Sequence, residues 1–317
     1  MGWVVAVRTE SSVVVTGSLA FDHIMNLPGV FTDYILPDKI HKLNVSFLVD
    51  TLRKEFGGTG GNIAYNLALL GIKVELVATI GKDGDEYISW LANHKVDISG
   101  VRKFNDILTA SGFVITDKQD NQIWNFYGGA MRKASQLSLQ SIKVRPGLVT
   151  ISPNDPEAII QYVKECQESD WEYLFDPAFY IPTLSVEDLT MAVKGARIVV
   201  GNDYEVALLR DKLQATSYKP QANQILITTL GDKGSTIRQG NKQWRIPAVK
   251  VKKIVDPTGA GDAYRAGFVA GYIRGLPLPV CGRMGAVGAA YTVEKYGTQT
   301  HKFTLKGFQR RYEANFL

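Results

Sequence analysis

The chain has 317 residues, 45% of them hydrophobic, and 36 basic against 31 acidic residues give a formal charge of +5. That suits one large core with a smaller attachment, and the basic residues (Arg53-Lys54, Lys250, Lys252-Lys253, Arg310-Arg311) are too scattered to form a nucleic-acid tract. Cys166 and Cys281 lack metal-ligand spacing and Met1–Ser12 holds no apolar run suited to a signal peptide or membrane span, so the expectation is a soluble, cytoplasmic protein.

In chain order, Ser12–Gly17 (SVVVTG) reads as a buried strand. Asp22–Gly29 and Lys39–Phe56 follow, with alternation such as Val45-Ser46-Phe47-Leu48-Val49, and predict short strands with one exposed face. Asn62–Leu70 predicts a helix closed by Gly71, Val74–Ile80 a strand, and Asp85–His94 a helix. Ala110–Tyr127 returns to two alternating strands around an Asp117–Asn121 turn. Strands then fall at Leu148–Ser152, Tyr173–Asp176, Ile198–Gly201 and Ile225–Thr229, with helices at Pro156–Cys166, Val186–Val193 and Tyr204–Arg210 between them. That rhythm argues for βαβ units and a mainly parallel sheet covered by helices. The expected organisation is a single domain over residues 1–317. A small β-sheet lid comes from about 19–56 and 108–128, and the α/β core from the remainder.

Near the C-terminus, "VDPTGAGDAYRAG" (Val255–Gly267) follows a strand-like Lys250–Val255 and opens a helix predicted over Asp262–Gly275. Unpaired N–H groups and the positive dipole end at Gly259-Ala260-Gly261 would make an anion site that glycine lets an oxyanion approach. Asp262 beside it reads in two ways. It would accept the proton of a hydroxyl attacking a phosphoryl group, or it is an ordinary acid in a first helical turn, and the segment alone supports both equally. No G-x-x-x-x-G-K-[ST], H-R-D or early G-x-G-x-x-G motif is present.

Together, "DPTGAGDAYRAGF", "GGTGGNIAYNLALLG" (Gly57–Gly71), "NDYE" (Asn202–Glu205) and "TLGDKG" (Thr229–Gly234) resemble the PfkB, or ribokinase-like, family of sugar and nucleoside kinases. The resemblance spans nearly the whole chain in the family's order. "GSLAFDHIMNLPG", "LNVSFLVD", "FYGGAM" and "GNDYE" are similar to the adenosine kinases of mycobacterial type within it.

The resemblance implies a ribokinase-like three-layer core with a β-sheet lid, and ATP- and Mg²⁺-dependent phosphorylation of a nucleoside 5′-hydroxyl, adenosine to AMP, in purine salvage. It implies Asp262 as catalytic base, with Gly259, Ala260 and Gly261 stabilising the transferred phosphoryl group. Asp22, Gly58 and Asn62 would bind the ribose hydroxyls, and Ser18 and Ser46 would add weaker substrate contacts. Asn202 and Glu205 would hold Mg²⁺, largely through water, and Thr229, Gly231, Gly234, Gly261 and Gly297, with Thr298 beside it, would contact the nucleotide. K⁺ near Asp256 and Thr258 would act as an activator. Trp124 and Phe126 alternate on a lid strand and either stack on a base or fill the lid, with Phe126 the candidate substrate contact.

His23, His41, His94 and His301 share no ligand spacing, so neither zinc nor histidine-based catalysis is expected. Neither nucleic acid nor membrane is an expected partner; a homodimer through an exposed lid edge is. Two features depart from the adenosine-kinase pattern: "DPAFYIP", with Phe179 and Tyr180 where amides are usual, and Gly112 where an aromatic is usual. Stacking would then pass to Phe113 or Tyr180. The alternatives are a kinase for ribose, fructose or a related sugar, and a non-catalytic ligand sensor. A phosphosugar would need cationic lid residues, for which Lys39, Lys42 and Arg53 are the candidates.

Overall fold

Val13, Val14 and Val15 are all fully buried because their strand lies mid-sheet, with an apolar layer packed on each face. The computed structural model describes residues 12–36, 44–119, 121–214, 216 and 220–317. Lys39, His41 and Lys42 lie outside the described residues.

The first half contributes β1 (Val13–Thr16), β2 (Ala20–Asn26), β3 (Thr51–Gly57), α1 (Thr59–Leu69), β4 (Val74–Gly81), α2 (Asp85–Asn93), β5 (Val96–Asp97), β6 (Val101–Phe104), β7 (Ala110–Thr116) and β8 (Gln122–Tyr127). The second half adds β9 (Leu148–Ile151), α3 (Pro156–Glu168), β10 (Tyr173–Phe175), α4 (Val186–Gly195), β11 (Ile198–Asn202), α5 (Asp203–Gln214), β12 (Ile225–Thr229), β13 (Ser235–Gln239), β14 (Lys242–Ile246), α6 (Ala260–Ile273), α7 (Leu278–Val293) and α8 (Leu305–Phe316).

The large sheet runs β14-β13-β12-β11-β10-β9-β1-β4-β5, with β6 also on β4. It is parallel from β12 to β5, and the β13–β14 hairpin is antiparallel. Residues of α1, α2, α6, α7 and α8 build the core on one face, and those of α3, α4, α5 and the 3₁₀ stretch Gly129–Gln136 build it on the other. The sheet between two helical layers is the three-layer α/β core that the sequence leads one to expect. No helix among the described residues is long and apolar enough to cross a membrane.

A separate four-stranded sheet has the order β3-β2-β7-β8. One row of directly opposed residues crosses it: Glu55, Asp22, Gly112 and Phe126. Opposed residues share a face, so these four point the same way and their strand neighbours point the other.

The sequence pattern misleads in two places. Residues 44–50 alternate in exposure yet form no strand, and Phe47 turns its ring edge-on to Phe31 and Tyr34 (centroids 5.4 and 5.5 Å) instead of joining a ladder. Lys250–Val255 is not a strand either: it joins neither sheet, and Val251 and Ile254 instead line the cavity beside the start of α6. The β13–β14 hairpin and α8 are elements that the sequence reading did not contain.

Candidate active site

α6 begins at Gly259, whose φ of 75° is left-handed, and a Cβ there would lie 2.8 Å from Thr298 Cγ2. Only glycine meets both demands without strain. Ala260 N–H donates to Pro257 and Ala263 N–H to Gly259, so Gly261 and Asp262 supply the outward N–H groups of the first turn. A cavity of about 540 Å³ touches Ala260 and Gly261 on one side and Thr229, Gly231 and Gly234 on the other. Its remaining lining is largely apolar, including Val249, Val251 and Ala290, which suits a flat ring with a phosphate tail directed at the helix start.

Asp262 is buried, and Asn62 Nδ2 donates to its Oδ2 at 2.8 Å across 200 positions of sequence. Asn62 Oδ1 accepts from Thr298 Oγ1 (2.6 Å) and Gln299 Nε2 (3.0 Å), and Gln299 Nε2 also donates to Tyr87, whose hydroxyl donates to Gly57 O. The carboxylate is thus tied through one amide to the loop after α7 and to the end of β3. Burial raises the Asp262 pKa, against the Arg265 guanidinium and the Asn62 hydrogen bond, which lower it.

Asp22 sits on the small sheet between two glycines. A Cβ on Gly57 would lie 2.1 Å from Asp22 Oδ2, and one on Gly112 would lie 3.0 Å from Asp22 Oδ1 and 3.1 Å from Trp124 Cζ3. Gly112 therefore stands where an aromatic was expected because the Asp22 carboxylate and the Trp124 ring occupy that space. Burial, then Asp256, Asp262 and Glu55, push the Asp22 pKa up to about 7, so this carboxyl shares an acidic space with the start of α6. Phe126 lies on the same face as Asp22; Phe113 lies on the opposite face, stacked on His23 at 4.6 Å.

Gly58 has φ 83° and caps α1, with Ser18 O and Ala20 N too close to admit a side chain. Ser18 Oγ accepts from Thr59 N at 3.2 Å, which holds the helix start against the turn after β1. Ser46 is exposed, and no contact joins it to this cluster among the described residues.

Asn202 and Glu205 bond reciprocally at the start of α5: Asn202 N donates to Glu205 Oε2 (2.7 Å) and Glu205 N to Asn202 Oδ1 (2.8 Å). This is a helix cap, and it leaves Glu205 Oε1 and the Asn202 amide group at the C-terminal end of the parallel sheet, with oxygen chemistry that fits hydrated Mg²⁺. Gly297, with φ 74°, donates its N–H to Asp256 Oδ2 at 3.0 Å, and Asp256 Oδ1 accepts from Thr258 N. Arg53 lies over the Tyr296 ring, 4.6 Å from its centroid.

Asp176, Arg265, Glu55, Gln299 and Tyr87 also belong to this cluster and were not singled out from sequence. Only for Arg265, three positions after Asp262 on one helix, did spacing carry a signal.

A model of the pfkB family of carbohydrate kinases matches residues 12–304. The chain belongs to this family. It is 30% identical to a nucleoside kinase of Methanocaldococcus jannaschii, over 94% of this chain and 96% of that protein. It is 31% identical to one of Methanothermobacter thermautotrophicus, over 92% of each. Among solved structures, the Burkholderia thailandensis nucleoside kinase in complex with inosine superposes with TM-score 0.87 at 32% identity, covering 96% of this chain and 98% of that one. As a PfkB kinase, the chain is a phosphotransferase with an alcohol group as acceptor.

Proposed function

We propose that this PfkB kinase phosphorylates the 5′-hydroxyl of a nucleoside, with adenosine, giving AMP, as its preferred substrate. The observation that carries the reading is a pair of carboxyls on facing elements: the buried Asp262 in the first turn of α6, and the half-buried Asp22 on the small sheet with no bonded donor or cation among the described residues. One suits a proton acceptor beside an anion site, the other a hydroxyl-binding group. The similarity to nucleoside kinases, one solved with inosine, supports a purine nucleoside.

Asp22, Gly58 and Asn62 bind the ribose hydroxyls in this reading, Ser18 and Ser46 add weaker contacts, and Phe126 meets the base. ATP supplies the phosphoryl group, which the 5′-oxygen accepts as the bond to ADP breaks. Asp262 takes the hydroxyl proton, and the N–H groups around Gly259, Ala260 and Gly261 steady the charge on the transferred group. Thr229, Gly231, Gly234 and Gly297 contact the nucleotide. Asn202 and Glu205 would hold Mg²⁺, which would offset charge on the ATP phosphates, and Asp256 and Thr258 lie where K⁺ would act as an activator. The small sheet, as a lid over the ribose, excludes water that would hydrolyse ATP.

A phosphosugar is a poorer fit, since Asp22, Glu55, Asp256 and Asp262 share one electrostatic neighbourhood and would repel a second phosphate. The test is ADP release from ATP with adenosine, inosine, guanosine, cytidine, ribose, fructose and fructose 6-phosphate. Adenosine should give the highest kcat/KM, and ribose a far lower one, because it lacks a base whose stacking contributes about 1–3 kcal/mol. Ribose or fructose outrunning every nucleoside would move the assignment to a sugar kinase.

A further inference from the structure

Arg265 has no role in the reading above, yet it lies at the centre of the site. Its side chain is 13% exposed, and Asp176, Asp262 and Glu205 act on it from three segments: the end of β10, the preceding turn of α6, and α5. Nε lies 2.6 Å from Asp176 Oδ2, and Nη1 lies 3.6 Å from Asp262 Oδ1. Nη1 also fills the space beside Gly261, where a Cβ would come within 2.6 Å of it. The Asp176 side chain is fully buried, and among the described residues no side-chain donor other than the Arg265 guanidinium reaches its oxygens. A buried ion pair with so few hydrogen bonds is a poor stabilising device, since apolar residues of the same volume serve stability as well or better.

We propose that Arg265, anchored by Asp176, is a positioning residue that keeps the buried Asp262 carboxylate ionised and free to accept the substrate proton. The proposal rests on Asp262 being the general base. The two oxygens of Asp262 have different partners. Asn62 fixes Oδ2 by a hydrogen bond, whereas Arg265 stands off Oδ1 at a distance that gives electrostatic support without a hydrogen bond. The stand-off follows from the closer hold of Asp176 on the guanidinium. A guanidinium released from Asp176 would close on Asp262 and occupy the oxygen that has to take the proton.

The other titratable groups acting with Asp262 are Asp22 from β2, Tyr87 from α2 and Asp176 after β10. None is a cation, so Arg265 is the one positive charge facing Asp262 among the described residues. Burial raises Asp262 and Arg265 opposes that rise, so the sign of the effect is fixed: without the guanidinium, the carboxyl holds its proton to higher pH.

The experiment is the pH profile of kcat under saturating nucleoside and MgATP for wild type, Arg265→Gln, Arg265→Lys, Asp176→Asn and Asp262→Asn. In Arg265→Gln the acid limb should move up by about one to three pH units, the range for an opposite charge at this separation, with kcat recovering toward high pH. Arg265→Lys should keep the limb near its wild-type position. Asp176→Asn should lower the plateau and leave the limb at or below the wild-type position. An Arg265→Gln profile lowered equally at every pH, or a raised ATP KM with an unmoved limb, overturns the proposal; the latter makes Arg265 a phosphate contact. If Arg265→Gln does not fold, an Asp176→Asn limb that moves upward overturns it instead. An active Asp262→Asn enzyme removes the general-base reading itself, whereas an inactive one with unmoved limbs in the other variants removes only the role of Arg265.

Discussion

Asp22 would be a poor choice for stability alone. Its carboxyl is set among three other acids, and its pKa rises from 3.8 to about 7 through burial, then Asp256, Asp262 and Glu55. The folded state therefore holds a proton that the unfolded chain has already released. The contribution of that proton to stability is complete below about pH 4 and is lost as pH rises to about 7. Asp22→Asn removes the ionisation. The ligand-free variant should melt at a higher temperature than wild type at pH 8, with a flatter decline of Tm between pH 4 and 7, while the nucleoside KM rises and kcat changes less. Melting curves across that range, with initial rates at pH 8, check both halves. An unchanged KM would separate Asp22 from the substrate, and an unchanged pH slope would show that its proton is not linked to folding.

At the scale of elements, β7, β8 and the βα rhythm after Leu148 were legible because the residue types and turn signals that make a strand or helix lie within the element itself, even though β8 is exposed along most of its length. Residues 44–50 alternate in exposure without a strand, since periodicity reports burial and not the presence of a hydrogen-bonding neighbour. Gly112 shows the same limit within a site. Its meaning lies in the row Glu55, Asp22, Gly112 and Phe126, which exists only once β3, β2, β7 and β8 are in register. Gly112→Ala would place a Cβ 3.0 Å from Asp22 Oδ1 and 3.1 Å from Trp124, tighter than ordinary packing allows. Displacement of Asp22 should raise the nucleoside KM several-fold, with the ATP KM unchanged and a loss of folding stability within the usual range of about 0.5–3 kcal/mol for a point substitution, read as a lowered Tm. An unchanged nucleoside KM would show that the row is only packing. On α5, Glu205→Gln keeps an acceptor for the Asn202 N–H and removes the charge. The Mg²⁺ concentration for half-maximal rate should rise while Tm moves little; an unmoved magnesium titration excludes Glu205 from the metal site.

Across the whole molecule, the glycine-rich segments could be read directly because each is local: a turn, a helix start and an acid within a few residues. What joins them could not be read. Asn62 meets Asp262 across 200 positions, Gln299 bridges α1 to α2, and Asp176 meets Arg265 only because β10 ends beside the start of α6. The central claim is that this assembly makes Asp262 a base. Asp262→Asn keeps the side chain's size and removes the charge and the capacity to take a proton. The direct measurement is single-turnover phosphoryl transfer to adenosine by this variant, with Tm and ATP affinity recorded alongside. The account predicts a rate at least about 10²-fold below wild type, the low end for a positioned acid–base group, with ATP affinity held or improved because a negative charge beside the phosphates has gone. A variant transferring within about threefold of the wild-type rate, with only a lowered Tm, would contradict it and leave Asp262 as a first-turn acid of α6.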